Sequence, residues 1–523
     1  MTADVAPPEI PSTASPPDAE PWWTWAACIS LMALLNFMVL LPSTLAFQSF
    51  VLSDQGWAIG TDALWTSGLV PTVDFAYFYG LLTLVVDRGW FALCGRTPGA
   101  QTVLIGLCNV LIVAGVVRFG WACRFGRVAR VLMILAAPMA VMAVAFPSPT
   151  HAFEAVLLVN ALAFQARGRP PVALALVALT VFVKPALAAV YGVILVGVIL
   201  FGPNSVEKRW TSRLYDLLPA ALVAALIAAM LASIFGPGPL MKTLLPTQAA
   251  KLYAAENYGF FWGVGRRFWL PHPWNPWYYL ISPLGFWLLA TAVMLVGAVR
   301  IAVRGRGPAA ATIVTCGVLH VAFVCFFFGN QLSWIYYPYM LVFGVCGAID
   351  QTGTPVQTRP YRSTPLGKII TAGLLILAPL SQLGLVLFSI LMWNLAERPE
   401  ATGGLFATPV DIAAFREVRE IGKQHRVFLF VRSGAARELF AETDSPRAWY
   451  LLRPIALPNE VAGVREQVRE ANFLLVPKEL AAGLTAWPEF ADELACFSQV
   501  KEYASFYLWQ RIRPPREAPA GRP

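Results

Sequence analysis

The sequence predicts an all-α bundle of about eleven transmembrane helices, followed by a small C-terminal α/β domain outside the membrane. Two observations support this fold class. The 523 residues are 57% hydrophobic and only 13% charged, and the mean hydropathy is +0.61. Soluble domains carry roughly 25% charged residues. A soluble protein of this composition could not cover its apolar surface, so we exclude a soluble enzyme, a disordered chain and a disulfide scaffold.

Clusters of basic residues predict the topology. The net charge of +9 does not indicate nucleic acid binding, because Lys and Arg form short clusters between apolar runs. Cytoplasmic loops of membrane proteins carry this excess of basic residues. One cluster (Arg118, Arg124, Arg127, Arg130) follows an apolar run, whereas residues 48–80 contain Asp but neither Lys nor Arg. The alternation predicts a multi-pass protein of a bacterial-type inner (plasma) membrane, with a cytoplasmic N-terminus and an extracytoplasmic C-terminus.

The sequence divides into three predicted parts. Residues 1–22 are expected to form a disordered cytoplasmic tail, 23–393 a transmembrane domain with outer loops at 48–99 and 236–276, and 394–523 an extracytoplasmic α/β domain. Apolar runs long enough to cross the bilayer define the transmembrane part. We expect spans at about 24–46, 100–120, 131–146, 152–166, 170–202, 214–235, 278–299, 309–328, 335–349 and 369–393.

The apolar run 170–202 is unlike the others because it is interrupted by Lys184-Pro185. Basic residues flank it on both sides, so both of its ends are expected on the cytoplasmic side. At about 20 residues per span, it is too short for two full crossings. The sequence therefore predicts a broken or re-entrant pair of short helices that turns at Lys184-Pro185.

The C-terminal part has frequent charges and short apolar runs. Residues 427–431, 449–452 and 473–476 are expected to form strands. Amphipathic patterns predict helices at about 409–424, 434–442 and 459–470. This alternation indicates a small α/β domain.

The first outer loop contains a motif that resembles a known family. Its residues are Ser53–Trp57 (SDQGW), Leu64–Pro71 (LWTSGLVP) and Val73–Gly80 (VDFAYFYG). They resemble the first outer loop of GT-C membrane glycosyltransferases, which include protein mannosyltransferases and the lipid A aminoarabinose transferase. The resemblance is strongest over residues 24–100. The Lys184-Pro185 break and the aromatic segment 334–339 resemble the same family.

This resemblance implies a GT-C-like fold and transfer of a hexosyl or pentosyl group. The donor would be an undecaprenyl- or decaprenyl-phosphate sugar, and the acceptor a cell-envelope glycan, lipid or protein at the outer membrane face. Many members have two adjacent acids at the first motif position, but here Asp54 stands between Ser53 and Gln55. A two-carboxylate metal site is therefore not indicated, and we predict no cofactor.

Two carboxylates of this loop are candidate catalytic residues. An acceptor hydroxyl must lose its proton as the oxocarbenium-like centre forms, so one carboxylate can act as general base. We assign this role to Asp54; alternatively, it caps a helix that begins near Gly56. Asp74 can share the acid role or orient sugar hydroxyls; alternatively, it is the N-cap of a helix at 75–94.

Three basic residues are candidates for binding the donor phosphate. Lys184 lies inside an apolar run, where an ionisable residue is a functional hypothesis and a helix break frees backbone amides. The alternative is a lysine whose ammonium reaches the outer interface. Arg266 and Arg267 lie in the second outer loop, where they can clamp phosphate or bind anionic lipid headgroups.

Tyr77, Tyr79 and Tyr337 are predicted to contact substrate, although aromatic residues at these depths more often form an interfacial belt. Asp62 has no neighbouring motif and is predicted to be solvated or to cap a helix. Two further polar residues, Glu154 and His320, lie within predicted spans and are expected to be satisfied intramembrane polar groups rather than catalysts.

Other function classes stay open. A lipid-linked glycan ligase or polymerase would also act at the outer face. A transporter or flippase of lipid-linked substrates would show internal repeats and a midplane site. The sequence instead has no internal repeat and concentrates polar and aromatic residues in two long outer loops. A structural membrane subunit whose α/β domain binds a partner is the third class.

Overall fold

The computed structural model describes most of the predicted bundle and much of the C-terminal part. The described residues are 56–123, 149–202, 209–245, 283–304, 307–327, 338–351, 409–430, 456–485 and 487–514, with 125, 129, 133 and 251. The predicted tail, the spans at 24–46 and 369–393, the helix at 434–442 and the strand at 449–452 lie outside them. The domain boundaries drawn at 22/23 and 393/394 also lie outside and stay predictions.

In the first group of helices, the four from residue 98 onward agree with the predicted spans to within a few residues, whereas the first two lie within the predicted outer loop 48–99. The group comprises α1 (Gly56–Thr66), α2 (Leu81–Cys94), α3 (Pro98–Ala122), α4 (Pro149–Ala166), α5 (Pro170–Val181) and α6 (Pro185–Phe201). Proline stands at the start of four of these six helices. Its fixed φ and missing N–H suit the first turn, where the amide would have no intrahelical partner.

The second group of helices contains α7 (Trp210–Tyr215), α8 (Leu218–Phe235), α9 (Pro237–Leu244), α10 (Pro283–Arg304), α11 (Pro308–Phe327) and α12 (Pro338–Gln351).

Large apolar side chains on α6 and α8, such as Val193, Phe201 and Leu226, are about 70% exposed. An exposed apolar surface of this kind suits contact with lipid. Within the described residues, two helical stretches, Val103–Ala122 and Trp210–Phe235, are long and apolar enough to cross a membrane. The count of eleven spans stays a prediction.

The predicted helix break is confirmed. Helix α5 ends at Val181, and α6 begins at Pro185, with Lys184 as its N-cap residue. Lys184 has extended φ and ψ angles of −156° and 102°. The ring of a proline excludes the helical region for the residue before it, which explains this conformation. We call residues Phe182–Lys184 the break.

Small residues and buried polar contacts pack the helices. Helices α3 and α4 approach so closely at Gly115 that a Cβ atom there would lie 2.6 Å from Val159 Cγ1. Between α4, α6 and α11, the Gln165 amide donates to Thr315 Oγ1 at 3.0 Å and accepts from the Tyr191 hydroxyl at 2.8 Å. In a bilayer, the hydrophobic effect does not drive helices together, because the lipid tails are also apolar. Close backbone approach and interhelical hydrogen bonds stabilise helix association instead.

The C-terminal part is an α/β unit, as predicted. Its elements are α13 (Pro409–Gly422), β1 (Val427–Leu429), α14 (Pro458–Glu470), β2 (Phe473–Pro477), α15 (Lys478–Thr485), α16 (Pro488–Leu494), β3 (Phe497–Glu502) and β4 (Phe506–Arg511). The four strands form one sheet in the order β1-β2-β4-β3. Strands β1 and β2 are parallel, and the other pairs are antiparallel. The hairpin β3–β4 was not predicted, because most side chains of β3 are exposed and polar.

The α/β unit packs against the motif loop, which we define as residues 56–80. One buried apolar cluster joins Phe75 and Tyr77 of this loop to Phe428 and Leu474 of the sheet. Phe182 of the break belongs to the same cluster. The motif loop, the break and the α/β unit therefore lie together at one end of the helix bundle.

Candidate functional site

The break buries a cluster of three ionisable side chains, which we call the break cluster: Lys184, His151 and Glu154. Lys184 Nζ lies 3.1 Å from His151 Nδ1, 3.2 Å from His151 Nε2 and 3.8 Å from Glu154 Oε2. His151 Nδ1 is 3.5 Å from the same carboxylate oxygen. The side chains are 11%, 6% and 0% exposed. Glu154 was predicted from the sequence to be a polar group within a span, but its contact with Lys184 was missed.

Two helix N-termini meet at the break cluster. His151 lies in the first turn of α4, and Lys184 caps the first turn of α6. The unpaired N–H groups of a first turn carry partial positive charge, so such ends favour anions. One buried ammonium between two helix N-termini is an arrangement that can hold a phosphate oxygen.

The motif loop is hydrogen-bonded directly to the break. The backbone N–H of Gly80 donates to Val183 O at 2.9 Å, and that of Leu82 donates to Phe182 O at 3.1 Å. A Cβ atom at position 80 would lie 1.9 Å from Phe182 O. Only glycine permits this approach, which gives a physical reason for Gly80 at the end of the motif.

Asp74 closes a turn in the motif loop. Its Oδ2 accepts a hydrogen bond from the Val70 backbone N–H at 2.7 Å, and its side chain is half-buried. The alternative that Asp74 caps a helix at 75–94 is wrong, because residues 75–80 are not helical and α2 begins only at Leu81. The docking of Gly80 on the break keeps this stretch non-helical. A role for Asp74 in the site stays a prediction.

The two tyrosines of the motif loop differ in exposure. Tyr77 is 2% exposed within the apolar cluster beneath the α/β unit, whereas Tyr79 is half-buried. Their rings meet edge to face with centroids 6.4 Å apart. Substrate contact by either tyrosine stays a prediction.

The prediction that Asp62 is solvated or caps a helix is wrong. Its carboxylate is 0% exposed and lies 3.6 Å from Arg88 Nη1 and 3.5 Å from Arg96 Nη1. Burial raises the pKa of Asp62, and the two guanidinium groups oppose that rise. The partners follow Asp62 by 26 and 34 residues, so no local pattern revealed them. We call Asp62, Arg88 and Arg96 the loop cluster.

A second buried carboxyl, Asp87 on α2, was also missed. It is 2% exposed, and Gln101 Nε2 lies 3.5 Å from its Oδ1. The pKa of Asp87 is raised to about 8, mainly by burial; the Gln101 contact opposes this rise, and the nearby charge of Asp62 adds to it. Its position in the apolar stretch 81–94 was a signal available in the sequence, because a lone acid in such a stretch indicates a specific environment.

Several predicted site residues lie outside the described part of the chain: Asp54, Arg266, Arg267 and Tyr337. Their roles stay predictions. Among the described residues, no group of three or more His, Cys, Asp or Glu is placed to hold a metal ion. His320 is hydrogen-bonded, with Nε2 3.1 Å from Thr291 Oγ1, as expected for a satisfied polar group.

No protein-family model and no curated protein sequence matches this chain. Solved structures of other proteins do match it. The arabinofuranosyltransferase AftD from Mycobacteria is 13% identical, with a TM-score of 0.46 over 94% of this chain, which spans only 40% of AftD. ArnT from Cupriavidus metallidurans, in its apo state, is also 13% identical, with a TM-score of 0.46 over 93% of this chain and 98% of its own.

Proposed function

We propose that this protein is a membrane glycosyltransferase that uses a polyprenyl-phosphate sugar. A single observation carries the proposal: the loop with the family-like motif is hydrogen-bonded through Gly80 and Leu82 to the break that carries Lys184. The candidate base and the candidate phosphate ligand come from segments more than 100 residues apart. We propose that Asp54 lies close to Lys184, because sugar transfer from a phosphate leaving group requires the base and the phosphate ligand at one site.

Lys184 is the proposed ligand of the donor phosphate. His151 and Glu154 contact its ammonium from the next helix and restrict its position. A preorganised cation stabilises the charge that develops on the leaving phosphate without reorganising in the transition state. Arg266 and Arg267 of the second outer loop are proposed to complete the phosphate site, as arginine binds phosphate bidentately.

Asp54 is the proposed general base. It lies two residues before the start of α1 at Gly56. A carboxylate there would take the acceptor proton as the sugar carbon develops oxocarbenium character, and the anomeric centre would be inverted. Asp74 is proposed to orient sugar hydroxyls, with Tyr77, Tyr79 and Tyr337 as further substrate contacts. The acceptor is a cell-envelope glycan, lipid or protein at the outer face.

The test is transfer from a radiolabelled polyprenyl-phosphate sugar by the purified full chain in lipid nanodiscs. Asp54→Asn keeps size and hydrogen bonding but removes basicity, so turnover should fall by about 10² to 10⁴. Glu466→Gln, at an exposed carboxylate on α14, is the matched control and should leave turnover unchanged. Full activity of Asp54→Asn would transfer the base role to Asp74, and an inactive wild type would refute the proposed reaction.

A transporter or flippase of lipid-linked substrates is the second candidate. The buried break cluster favours it, because ionisable groups on membrane helices often serve substrate or proton paths. Proteoliposomes that contain a fluorescent polyprenyl phosphate separate the two functions. Movement of that lipid between leaflets without sugar transfer would select the transporter.

A further inference from the structure

The segment Val70–Ala76 of the motif loop holds a strained backbone next to Asp74. Thr72 has a φ of +65°, whereas the other described residues with positive φ are glycines. A β-branched residue adopts this left-handed region only with backbone strain. Such a conformation persists where the surrounding structure fixes it. The contacts of this segment therefore identify what holds it.

Two other parts of the chain hold this segment. Lys242 on α9 donates from Nζ to Thr72 O at 3.1 Å. Glu460 on α14 of the α/β unit accepts from the Ala76 backbone N–H at 3.1 Å. These contacts join Val70–Ala76 to residues 170 and 384 positions later in the sequence.

Glu460 belongs to the α/β unit, and its carboxylate accepts hydrogen bonds from two backbone segments. It is 3% exposed and occupies the first turn of α14, where its Oε2 also accepts from the Leu457 backbone N–H at 3.2 Å. The first turn of a helix favours a carboxylate. One oxygen thus caps α14 and holds the motif loop, and hydrogen bonds to an ionised carboxylate are about twice as strong as neutral ones.

We propose that the C-terminal α/β unit positions the motif loop, and that Glu460 is the positioning residue that sets Val70–Ala76 and with it Asp74. The proposal rests on the proposed function for its effect on transfer, but not for the physical link. The α/β unit is then a working part of the transferase site, and Glu460 acts through the backbone of Ala76 without touching substrate.

Hydrogen exchange of the full chain in nanodiscs tests the link directly. In Glu460→Ala, the amides of residues 70–82 should exchange at least about tenfold faster than in the wild type, because the Ala76 N–H loses its acceptor. Glu460→Gln keeps an acceptor oxygen of the same reach and should restore much of the protection. If Glu460→Ala does not fold, Glu460→Met, which is of similar length but has no acceptor oxygen, should show the same faster exchange. Glu466→Ala, at an exposed position on α14, should match the wild type. Unchanged exchange in the folded variant that lacks the acceptor oxygen would overturn the proposal.

Kinetics then separate positioning from general stability. In Glu460→Ala, kcat for sugar transfer should fall roughly 10- to 100-fold while the KM for donor changes less than about twofold, with partial rescue in Glu460→Gln. Faster exchange without a change in kcat would refute the positioning role. If the wild type transfers no sugar, the proposed function fails, and the exchange experiment still decides whether Glu460 holds the motif loop.

Discussion

The break cluster and the loop cluster both pair a fully buried carboxylate with cations, but the cations differ in their exposure to solvent. In the break cluster, the Lys184 side chain is only 11% exposed beside Glu154. In the loop cluster, the Arg88 and Arg96 side chains are 46% and 29% exposed around Asp62. Water therefore solvates the guanidinium groups of the loop cluster, whereas the ammonium of the break cluster depends on protein groups.

This difference separates an anchoring role from a binding role. Exposed arginines over a buried carboxylate join α1 to α2 and to the start of α3 at little desolvation cost for the cations. A buried ammonium costs more, and replacing such groups by apolar residues often stabilises a protein. We infer that the break cluster is retained for its chemistry and the loop cluster for its geometry.

The largest expected effect is on Lys184. Lys184→Met keeps the length of the side chain and removes the charge, so sugar transfer should fall by about 10² to 10³, as when one donor to a developing anion is removed. Because the change leaves the buried Glu154 carboxylate without its cation, the unfolding temperature should also fall, so turnover is measured per folded protein. Arg169→Met, at an exposed cation before α5, is the control and should keep full activity. An active, destabilised Lys184→Met would show that both clusters are structural.

The next effect is on the stability of the loop cluster. Asp62→Ala should lower the free energy of unfolding by about 1–3 kcal/mol, less than for a fully buried pair because the remaining arginines stay solvated. Thermal unfolding of the purified chain measures the change. The donor KM of the folded fraction should equal that of the wild type. A selective loss of turnover at wild-type stability would instead place Asp62 in the site.

The smallest effect concerns Asp87 and depends on pH. Its folded pKa of about 8 lies above its ordinary value of 3.8, so the folded state binds the proton more tightly than the unfolded state. The associated stability is present below pH 3.8 and is lost as the pH rises to about 8. Asp87→Asn mimics the neutral form, so it should unfold about 2–4 °C higher than the wild type at pH 8 and at nearly the same temperature near pH 4. Equal differences at both pH values would contradict the assigned protonation.

The sequence predicted features that depend on neighbouring residues. The break at Lys184-Pro185 followed from one proline and two basic flanks, and the helices at 100–120 and 152–166 followed from apolar runs of span length. The strands at 427–431 and 473–476 followed from short apolar runs. Each signal lies within about 30 residues, the range over which helix and turn preferences act.

Contacts between distant segments were not predictable in this way. Asp62 was predicted to be solvated or to cap a helix, because no residue near it in the sequence indicates that Arg88 and Arg96 are its partners. Glu460 was not singled out in the sequence, because its partner Ala76 lies 384 residues earlier and only the fold brings the two within hydrogen-bonding distance. Glu154 was noted as an intramembrane polar residue, but its grouping with Lys184 and His151 requires the break to lie beside the start of α4.

By itself, the sequence determined the chemical character of this protein: an apolar, helical chain with a charged α/β unit, a break at a lysine and an acidic, aromatic loop that resembles one family. Composition and periodicity are local properties, so they can be read from the sequence without knowing how the helices and strands pack. Only the tertiary structure decided which charges are buried and which meet, and that the α/β unit holds the motif loop. Burial and pairing depend on segments up to 384 residues apart, and packing alone brings these segments together.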